Sequence, residues 1–180
     1  MTRIIAGEAR GRRLVAPKGE TTRPTSDRAK EAIFSSWSTR FGLEGTRVLD
    51  LFAGSGALGL EAASRGARSV VLVENDPNAI AAIEKNIRTV GHPDVALSPM
   101  KVSSYLAGAP GEPFDRVIAD PPYELVGEAV TEMLEALRSF LAPGAVVTVE
   151  RHRDDEETQW PEGYEQLQPV SYTHLTLPTT

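Results

Sequence analysis

A glycine loop and two carboxylates have the spacing of a site for a nucleoside-containing ligand. The loop holds Gly54-Ser55-Gly56, with Asp50 just before it and Glu74 eighteen residues after Gly56. Glycines let a backbone approach a ligand closely, and the N-terminus of the following helix offers free N–H groups. A carboxylate at the end of the next strand accepts both hydroxyls of a ribose. These residues predict a nucleoside-containing cofactor.

Two cofactor classes fit this loop. Residues Gly54–Gly59 match the G-x-G-x-x-G pattern of dinucleotide sites, which is a weak signal on its own. Asp50 argues against a pyrophosphate, because a carboxylate repels phosphate and attracts the ammonium of an amino-acid moiety. The stretch Asp50–Gly56 is typical of S-adenosylmethionine sites. We therefore predict S-adenosylmethionine as the cofactor. A nicotinamide dinucleotide and a strand–helix turn without a ligand are the alternatives.

The sequence Asp120-Pro121-Pro122-Tyr123 is suited to hold the exocyclic amine of a nucleobase. Such an amine is a poor nucleophile, because its lone pair is delocalised into the ring. The Asp120 carboxylate and the Pro121 carbonyl can accept its N–H groups and direct the lone pair at a methyl donor. Tyr123 can stack on a base that is unpaired or flipped out. Taken alone, these four residues fit an ordinary turn before a helix equally well.

Alternating strand and helix patterns bring these groups to one edge of a sheet. Strands are predicted at 48–51, 69–74, 95–97, 114–119 and 145–150, and helices at 58–65, about 77–90 and about 125–141. Repeated strand–helix units imply a mostly parallel sheet with helices on both faces. Ligands of such sheets bind at the carboxyl ends of the strands, where Asp50, Glu74 and Asp120 lie.

A hairpin and a helix are predicted before this alternation. Short strands at 3–6 and 13–15 flank a turn, and a loop over 17–25 leads to a helix that is capped by Thr25 or Ser26 and ends near Gly42. We divide the chain into a basic hairpin–helix extension (1–42), a cofactor-binding domain (43–169) and an atypical tail (170–180). The tail resembles translated adaptor or vector sequence, which would leave the last sheet strand missing or replaced.

The charge of the chain is unevenly placed. Nineteen Lys and Arg stand against 25 Asp and Glu, and the net charge of −6 by itself argues against nucleic acid. Residues 1–40, however, hold nine basic and four acidic side chains, a net charge of +5, and the rest of the chain carries −11. A basic head on an acidic body suggests an arm that binds a polyanion, with a solvated surface as the alternative.

The amino-acid composition excludes several classes of functional site. The chain has no cysteine, which excludes disulfides, thiolate nucleophiles and cysteine zinc sites. His92, His152 and His174 are far apart and fit no metal-ligand spacing, so we expect no metal. The apolar runs are too short to cross a bilayer, and the first residues do not read as a secretory signal. We expect a cytoplasmic protein with no membrane partner.

Two levels of resemblance follow from these motifs. Asp50–Gly56 together with Asp120–Tyr123 resembles the class I S-adenosylmethionine-dependent methyltransferases that modify exocyclic amines. Five stretches of the sequence resemble one family more specifically, the bacterial ribosomal small-subunit methyltransferase D family. They are residues 3–7, 11–14, 23–28, 31–34 and 51–65. This resemblance covers about residues 1–165. It implies a Rossmann-like fold and methylation of guanine N2 in the 16S RNA of the small ribosomal subunit or its assembly intermediate, by a monomer.

The resemblance also assigns residues. Catalytic roles would fall to Asp120, Pro121, Pro122 and Tyr123. Cofactor contacts would fall to Asp50, Phe52, Gly54, Ser55, Gly56, Glu74, Asn75 and Val102. RNA contacts would fall to Arg3, Arg10, Arg12, Arg13, Arg23, Thr25 and Arg28. The stretch Met100-Lys101-Val102 departs from the family, which usually places an acidic residue or Asn there against the adenine amine.

Three other functions fit parts of the sequence. A DNA adenine or protein amine methyltransferase would use the same Asp120–Tyr123 chemistry. A nicotinamide-dependent oxidoreductase would use Gly54–Gly59. A non-catalytic RNA-binding module would use the basic head alone.

Overall fold

A two-stranded hairpin and a seven-stranded sheet form the β-structure of the chain. The computed structural model describes residues 2–19, 27–125, 127–151, 155–167 and the backbone of 173–178. In the hairpin, β1 (Thr2–Arg3) pairs antiparallel with β2 (Arg13–Leu14). The sheet consists of β3 (Arg47–Leu51), β4 (Ser69–Val73), β5 (Val95–Ser98), β6 (Phe114–Ala119), β7 (Leu141–Glu150), β8 (Tyr164–Gln166) and β9 (Thr173–Pro178).

Five α-helices connect these strands. They are α1 (Asp27–Ser36), α2 (Ala57–Ser64), α3 (Pro77–Val90), α4 (Val102–Ala107) and α5 (Glu128–Leu137). A π-helical turn, Trp37–Phe41, continues α1, and a 3₁₀ turn, Arg138–Phe140, continues α5.

In the strand order β5-β4-β3-β6-β7-β9-β8, the parallel part from β5 to β7 contains one reversal of direction. The chain runs outward from β3 to β5 and then returns to place β6 on the other side of β3. The pairs from β5 to β7 are parallel, and β9 is antiparallel to both β7 and β8. The switch point therefore lies between β3 and β6, and a ligand crevice is expected outside their carboxyl ends.

Local sequence explains the sharpest boundaries. Asp76 accepts a hydrogen bond from the Ala79 N–H at 2.9 Å and caps α3, and Pro77 occupies the first helical position. Gly91 ends α3 in the left-handed conformation, with a φ of 74°. The predicted helix 77–90 is thereby confirmed at both ends.

Each face of the sheet carries its own apolar cluster. Val48 of β3 packs with α1, α2 and α3, and Leu49 packs with α4 and α5 on the opposite face. Alternate residues of a strand point to opposite faces, so one buried strand supplies both clusters. The predicted α/β class with helices on both faces is confirmed, as are the hairpin and helix that precede it.

Several predicted boundaries are wrong in detail. The helix expected over 125–141 spans 128–137, because Gly127, with a φ of 50°, precedes it and the chain tightens into the 3₁₀ turn. The strand expected at 145–150 begins at Leu141, and the pairing with β6 shifts register between Phe114 and Arg116. The sequence analysis missed α4, a helix of six residues with no side-chain cap. Residues 173–178 of the atypical tail form β9.

Candidate active site

The crevice at the switch point opens into a cavity of about 490 Å³ beside the end of β4. Four residues of the predicted cofactor set line it: Phe52, Glu74, Asn75 and Val102. Lys101 and Ser103 line it as well, at the start of α4. Ser103 was not predicted to belong to the site, because no helix was expected there.

The loop between β3 and α2 has a backbone that few residue types adopt. Gly54 and Gly56 have φ values of 59° and 81°, in the left-handed region that favours glycine. Phe52 shares that region, with a φ of 59°. A non-glycine residue held there is strained, and such strain is concentrated at ligand sites. The surrounding structure therefore holds this loop in a strained conformation, and of its residues Phe52 lines the cavity.

Glu74 ties the loop to the next strand–helix connection. One carboxylate oxygen accepts the Gly54 N–H at 2.9 Å, and the other accepts the N–H groups of Asn75 and Asp76, each at 2.9 Å. The side chain is half-buried and lines the cavity.

Asp50 lies deeper than the sequence suggested. The side chain is only 1% exposed, and one oxygen accepts the Gly59 N–H at 2.9 Å. Burial raises the pKa of Asp50 to about 8, against the Gly59 hydrogen bond, and the charges of Asp120, Glu74 and Glu150 raise it further. Gly59 is required here, since a Cβ would lie 2.3 Å from Leu72 Cδ2.

Asp120 follows β6 and lies beside the last residue of β7. The register pairs Ala119 with Val149, so Asp120 and Glu150 are neighbours, and their carboxyl groups are hydrogen-bonded to each other. Burial raises the pKa of Asp120 to about 7, and Glu150 contributes through its charge and through this hydrogen bond. Tyr123 is 64% exposed in the turn that follows Asp120.

The electrostatics of the crevice favour a cationic ligand. Asp50, Glu74, Asp120 and Glu150 come from four adjacent strand ends, and their mutual repulsion raises the pKa of Asp50. A positively charged group in the crevice would relieve that repulsion, whereas a pyrophosphate would add to it. A sulfonium or ammonium therefore fits the site better than a dinucleotide does.

The predicted RNA-contact residues have different surroundings. Arg10, Arg13 and Arg28 are exposed. Arg3 is exposed and lies 3.8 Å from an Asp27 oxygen. Arg12 donates to the carbonyls of Thr89 and Val90 at 3.0 and 2.7 Å, so it caps the end of α3. Arg23 and Thr25 lie outside the described residues.

Lys30 is not part of that surface, although it was counted in the basic head. Its side chain is fully buried, and its ammonium donates to the Arg3 carbonyl at 2.8 Å. It also lies 3.9 Å from a carboxylate oxygen of Glu61, which is buried as well. Burial lowers the pKa of Lys30, and Glu61 opposes that shift. The buried Lys30 ammonium helps to hold the head against α2. The positive charge that the head exposes to solvent is therefore smaller than its total charge.

Two acidic residues near the crevice were not predicted to belong to the site: Glu132 lines the cavity, and Glu150 lies beside Asp120. A signal existed, because a strand was predicted to end at Glu150, and the carboxyl ends of parallel strands share one edge. The sequence does not show that β6 and β7 are adjacent in the sheet, and so it does not place Glu150 beside Asp120.

Within the residues that the structure describes, no group of three or more His, Asp or Glu side chains is arranged to hold a metal ion. None of the described helices is both long and apolar enough to cross a membrane.

Comparison with known proteins gives consistent matches over most of the chain. Residues 2–178 match the family model described as conserved hypothetical protein 95. Over 157 residues the chain is 37% identical to ribosomal RNA small subunit methyltransferase D of Haemophilus influenzae, covering 84% of this chain and 79% of that protein. Over 150 residues it is 38% identical to the Escherichia coli K12 protein of the same name, covering 82% and 73%.

A solved structure matches over nearly the full length. The yhhF protein of Escherichia coli superimposes with a TM-score of 0.85 and 31% identity, covering 99% of this chain and 98% of that one. The two chains therefore share one fold over nearly their whole lengths.

Proposed function

The chain belongs to the family of ribosomal RNA small subunit methyltransferase D, and from that membership we propose that it methylates ribosomal RNA with S-adenosylmethionine as the methyl donor. One observation carries the proposal. The Asp120–Tyr123 turn and the glycine loop follow β6 and β3, which are adjacent at the switch point. A methyl donor on the loop and an amine on the turn would therefore meet.

The residues of the crevice fit the donor. When bound, S-adenosylmethionine supplies a methyl group on a positively charged sulfur that leaves as a neutral thioether. Glu74 would hold the ribose, and Asn75, Val102 and Phe52 would enclose the adenine at the cavity. Asp50 would stabilise the methionine ammonium through the charge it contributes beneath the loop. Gly54, Ser55 and Gly56 would bring their backbone against the methionine end.

The target is the exocyclic N2 amine of a guanine in 16S RNA. The Asp120 carboxylate and the Pro121 carbonyl would accept its N–H groups, and Pro122 would stiffen the turn. Tyr123, exposed at the turn, would stack on the base and fix its plane. Orientation of a poor nucleophile is the main catalytic contribution of these residues.

The basic head would bind the RNA backbone. Arg10, Arg13 and Arg28 are exposed there, and Arg3 is exposed beside Asp27. The substrate would be the small ribosomal subunit or its assembly intermediate, met in the cytoplasm by a single copy of the chain.

The test is methyl transfer to small subunits from cells that lack this activity. Purified protein is incubated with those subunits and methyl-labelled S-adenosylmethionine, and the RNA is digested to nucleosides. We expect label in N2-methylguanosine from 16S RNA. Asp120→Ala should lower the transfer rate by about 100-fold or more, with cofactor affinity nearly unchanged, because Asp120 acts on the amine.

Three outcomes would contradict the proposal. Label in N6-methyladenine or in protein would assign a different amine. Absence of label with cofactor bound would remove the RNA substrate. Calorimetry that shows binding of NADH but not of S-adenosylhomocysteine would favour the oxidoreductase.

A further inference from the structure

Asp120 and Glu150 form a hydrogen-bonded carboxyl pair at the carboxyl edge of the sheet. Asp120 follows β6 and Glu150 ends β7, and the pairing of Ala119 with Val149 sets them side by side. Both side chains are half-buried. Burial raises the pKa of Asp120, and Glu150 raises it further, because two neighbouring carboxyl groups favour a proton on one of them.

We propose that Glu150 is a positioning residue that makes Asp120 the acceptor of the proton released by the target amine. This inference rests on the proposed function. It gives Asp120 a second task besides orienting the amine, and it gives Glu150 a role exercised through Asp120.

The chemistry of the amine creates the need for an acceptor. The nitrogen lone pair forms the new N–C bond as the C–S bond breaks, and the electrons of that bond remain on sulfur. The amine nitrogen then carries a positive charge and loses one N–H proton. Asp120, which already accepts that N–H in the proposed geometry, takes the proton, and water removes it after the product leaves.

Glu150 matches the basicity of Asp120 to this task. A general base works best when its pKa lies near the working pH, and an ordinary aspartate is too weakly basic. Burial, together with the charge and hydrogen bond of Glu150, raises the pKa of Asp120 to about 7. Without Glu150, only burial would raise the pKa of Asp120, and Asp120 would be a poorer proton acceptor.

Other charged groups near the pair come from the adjacent strands. Asp50 of β3 and Glu74, at the end of β4, are negative when ionised and belong to the same electrostatic cluster. Arg151 follows Glu150, with its Nε 3.7 Å from an Asp155 oxygen. Of these groups, Glu150 is the one hydrogen-bonded to Asp120, which is why it is the residue to change.

The first measurement follows the titration of Asp120 by carbon NMR of its carboxyl group in the protein alone. Glu150→Gln keeps the shape of the side chain and removes its charge, so the pKa of Asp120 should fall by about one unit or more. Glu150→Asp keeps the charge and should leave the pKa nearer the wild-type value. Glu165→Gln, an exposed residue of β8, is the control for loss of one negative charge and should cause no shift.

The second measurement is the pH dependence of single-turnover methyl transfer. In the wild type, the rate should rise with pH through about 7, as Asp120 ionises. In Glu150→Gln the rise should move to lower pH and the plateau should fall several-fold, because a weaker base accepts the proton. A purely structural role would lower the rate equally at all pH values and would not be rescued by Glu150→Asp.

The two measurements separate the inference from the function it rests on. An unchanged pKa of Asp120 in folded Glu150→Gln, or an unchanged pH profile, overturns the role of Glu150. A normal pKa shift together with no methylation of RNA by the wild type contradicts the proposed function instead.

Discussion

Four carboxylates meet where a parallel sheet would otherwise place few charges. Asp50, Glu74, Asp120 and Glu150 belong to four adjacent strand ends, and burial and repulsion make the ionised forms of Asp50 and Asp120 costly. Negative charge at this site destabilises the free protein. The site is therefore suited to bind a cation, because a bound positive charge offsets that destabilisation. The carboxyl groups that are proposed to bind the cofactor and the amine are thus also sources of instability.

The stability of the free protein should therefore fall as pH rises from about 4 to 8. The folded-state pKa values of Asp50 and Asp120 are raised to about 8 and about 7, so the folded state binds more protons than the unfolded state in that window. The free energy of unfolding decreases with pH wherever that holds. Asp50→Asn, which can still accept the Gly59 N–H, should flatten the decrease.

Urea unfolding at pH 5 and pH 8 measures this effect. Asp94→Asn, at an exposed aspartate, is the control and should keep the wild-type slope. A wild-type free energy of unfolding that rises across the window would contradict the raised pKa of Asp50.

At the scale of elements, the hairpin docks on α2 through fixed side chains. Glu61 accepts the Ile5 and Ala6 N–H groups at 2.8 and 3.2 Å, and Ser64 Oγ accepts the Ala9 N–H at 2.9 Å. The glycine loop leads directly into α2, so the docked hairpin and the loop share one helix. The head is in this way held by backbone hydrogen bonds to buried polar groups as well as by apolar packing.

Gly7→Ala should undo this docking. A Cβ at Gly7 would lie 1.9 Å from the Ser64 carbonyl oxygen, whereas one at Gly11 would meet nothing within 4 Å. Both glycines have a similar positive φ, 89° and 86°, so Gly11→Ala carries the backbone strain without the clash. We expect Gly7→Ala to be destabilised by about 2 kcal/mol more than Gly11→Ala. Equal free energies of unfolding would show that the hairpin is not held against α2.

Asn86 of α3 links the hairpin to the glycine loop. It is 1% exposed, accepts the Val15 N–H at 2.8 Å, and donates to the carbonyls of Val15 and Ser55, each at 2.9 Å. Asn86→Asp removes both donors and places a carboxylate against two carbonyls. We expect a loss of about 2–4 kcal/mol in stability and weaker binding of S-adenosylhomocysteine.

The matched control for that substitution lies on the same helix. Asn78 is exposed, so Asn78→Asp makes the same chemical change without burial. Thermal unfolding and calorimetry of the two variants give the comparison. A similar loss in both would mean that charge on α3, rather than the Asn86 hydrogen bonds, sets the effect.

At the scale of the whole molecule, the division of charge matters more than its sum. The net charge of −6 hides a head of +5 and a body of −11. The fold reduces the exposed charge of that head, since Lys30 is buried. Arg12 stays exposed, and its guanidinium is hydrogen-bonded to the end of α3. The acidic groups of the body are concentrated at the crevice, where they favour a cationic ligand.

RNA binding should consequently depend on salt through the exposed arginines of the head. Replacing Arg10 and Arg13 by Ser should reduce the slope of log affinity against log salt by about 1 to 2. Arg68→Ser, at an exposed arginine just before β4, is the control, and its surface pair with Glu112 should contribute little. Filter binding of 16S RNA at several salt concentrations gives the slopes, and a slope unchanged by the double substitution would exclude the hairpin arginines from the interface.

The sequence by itself determined the parallel sheet, the position of the glycine loop and the Asp120–Tyr123 turn, because hydrophobic period, capping residues and glycine placement are local properties. Asp76-Pro77 and Gly91 marked both ends of α3 in this way. The tertiary structure alone decided which charges are buried. Lys30 and Asp50 lost contact with solvent, and Glu150 came to lie beside Asp120, because strand order and helix packing join residues that are distant in sequence. Burial and neighbouring charge set the pKa of a carboxyl group, and neither can be deduced from its place along the chain.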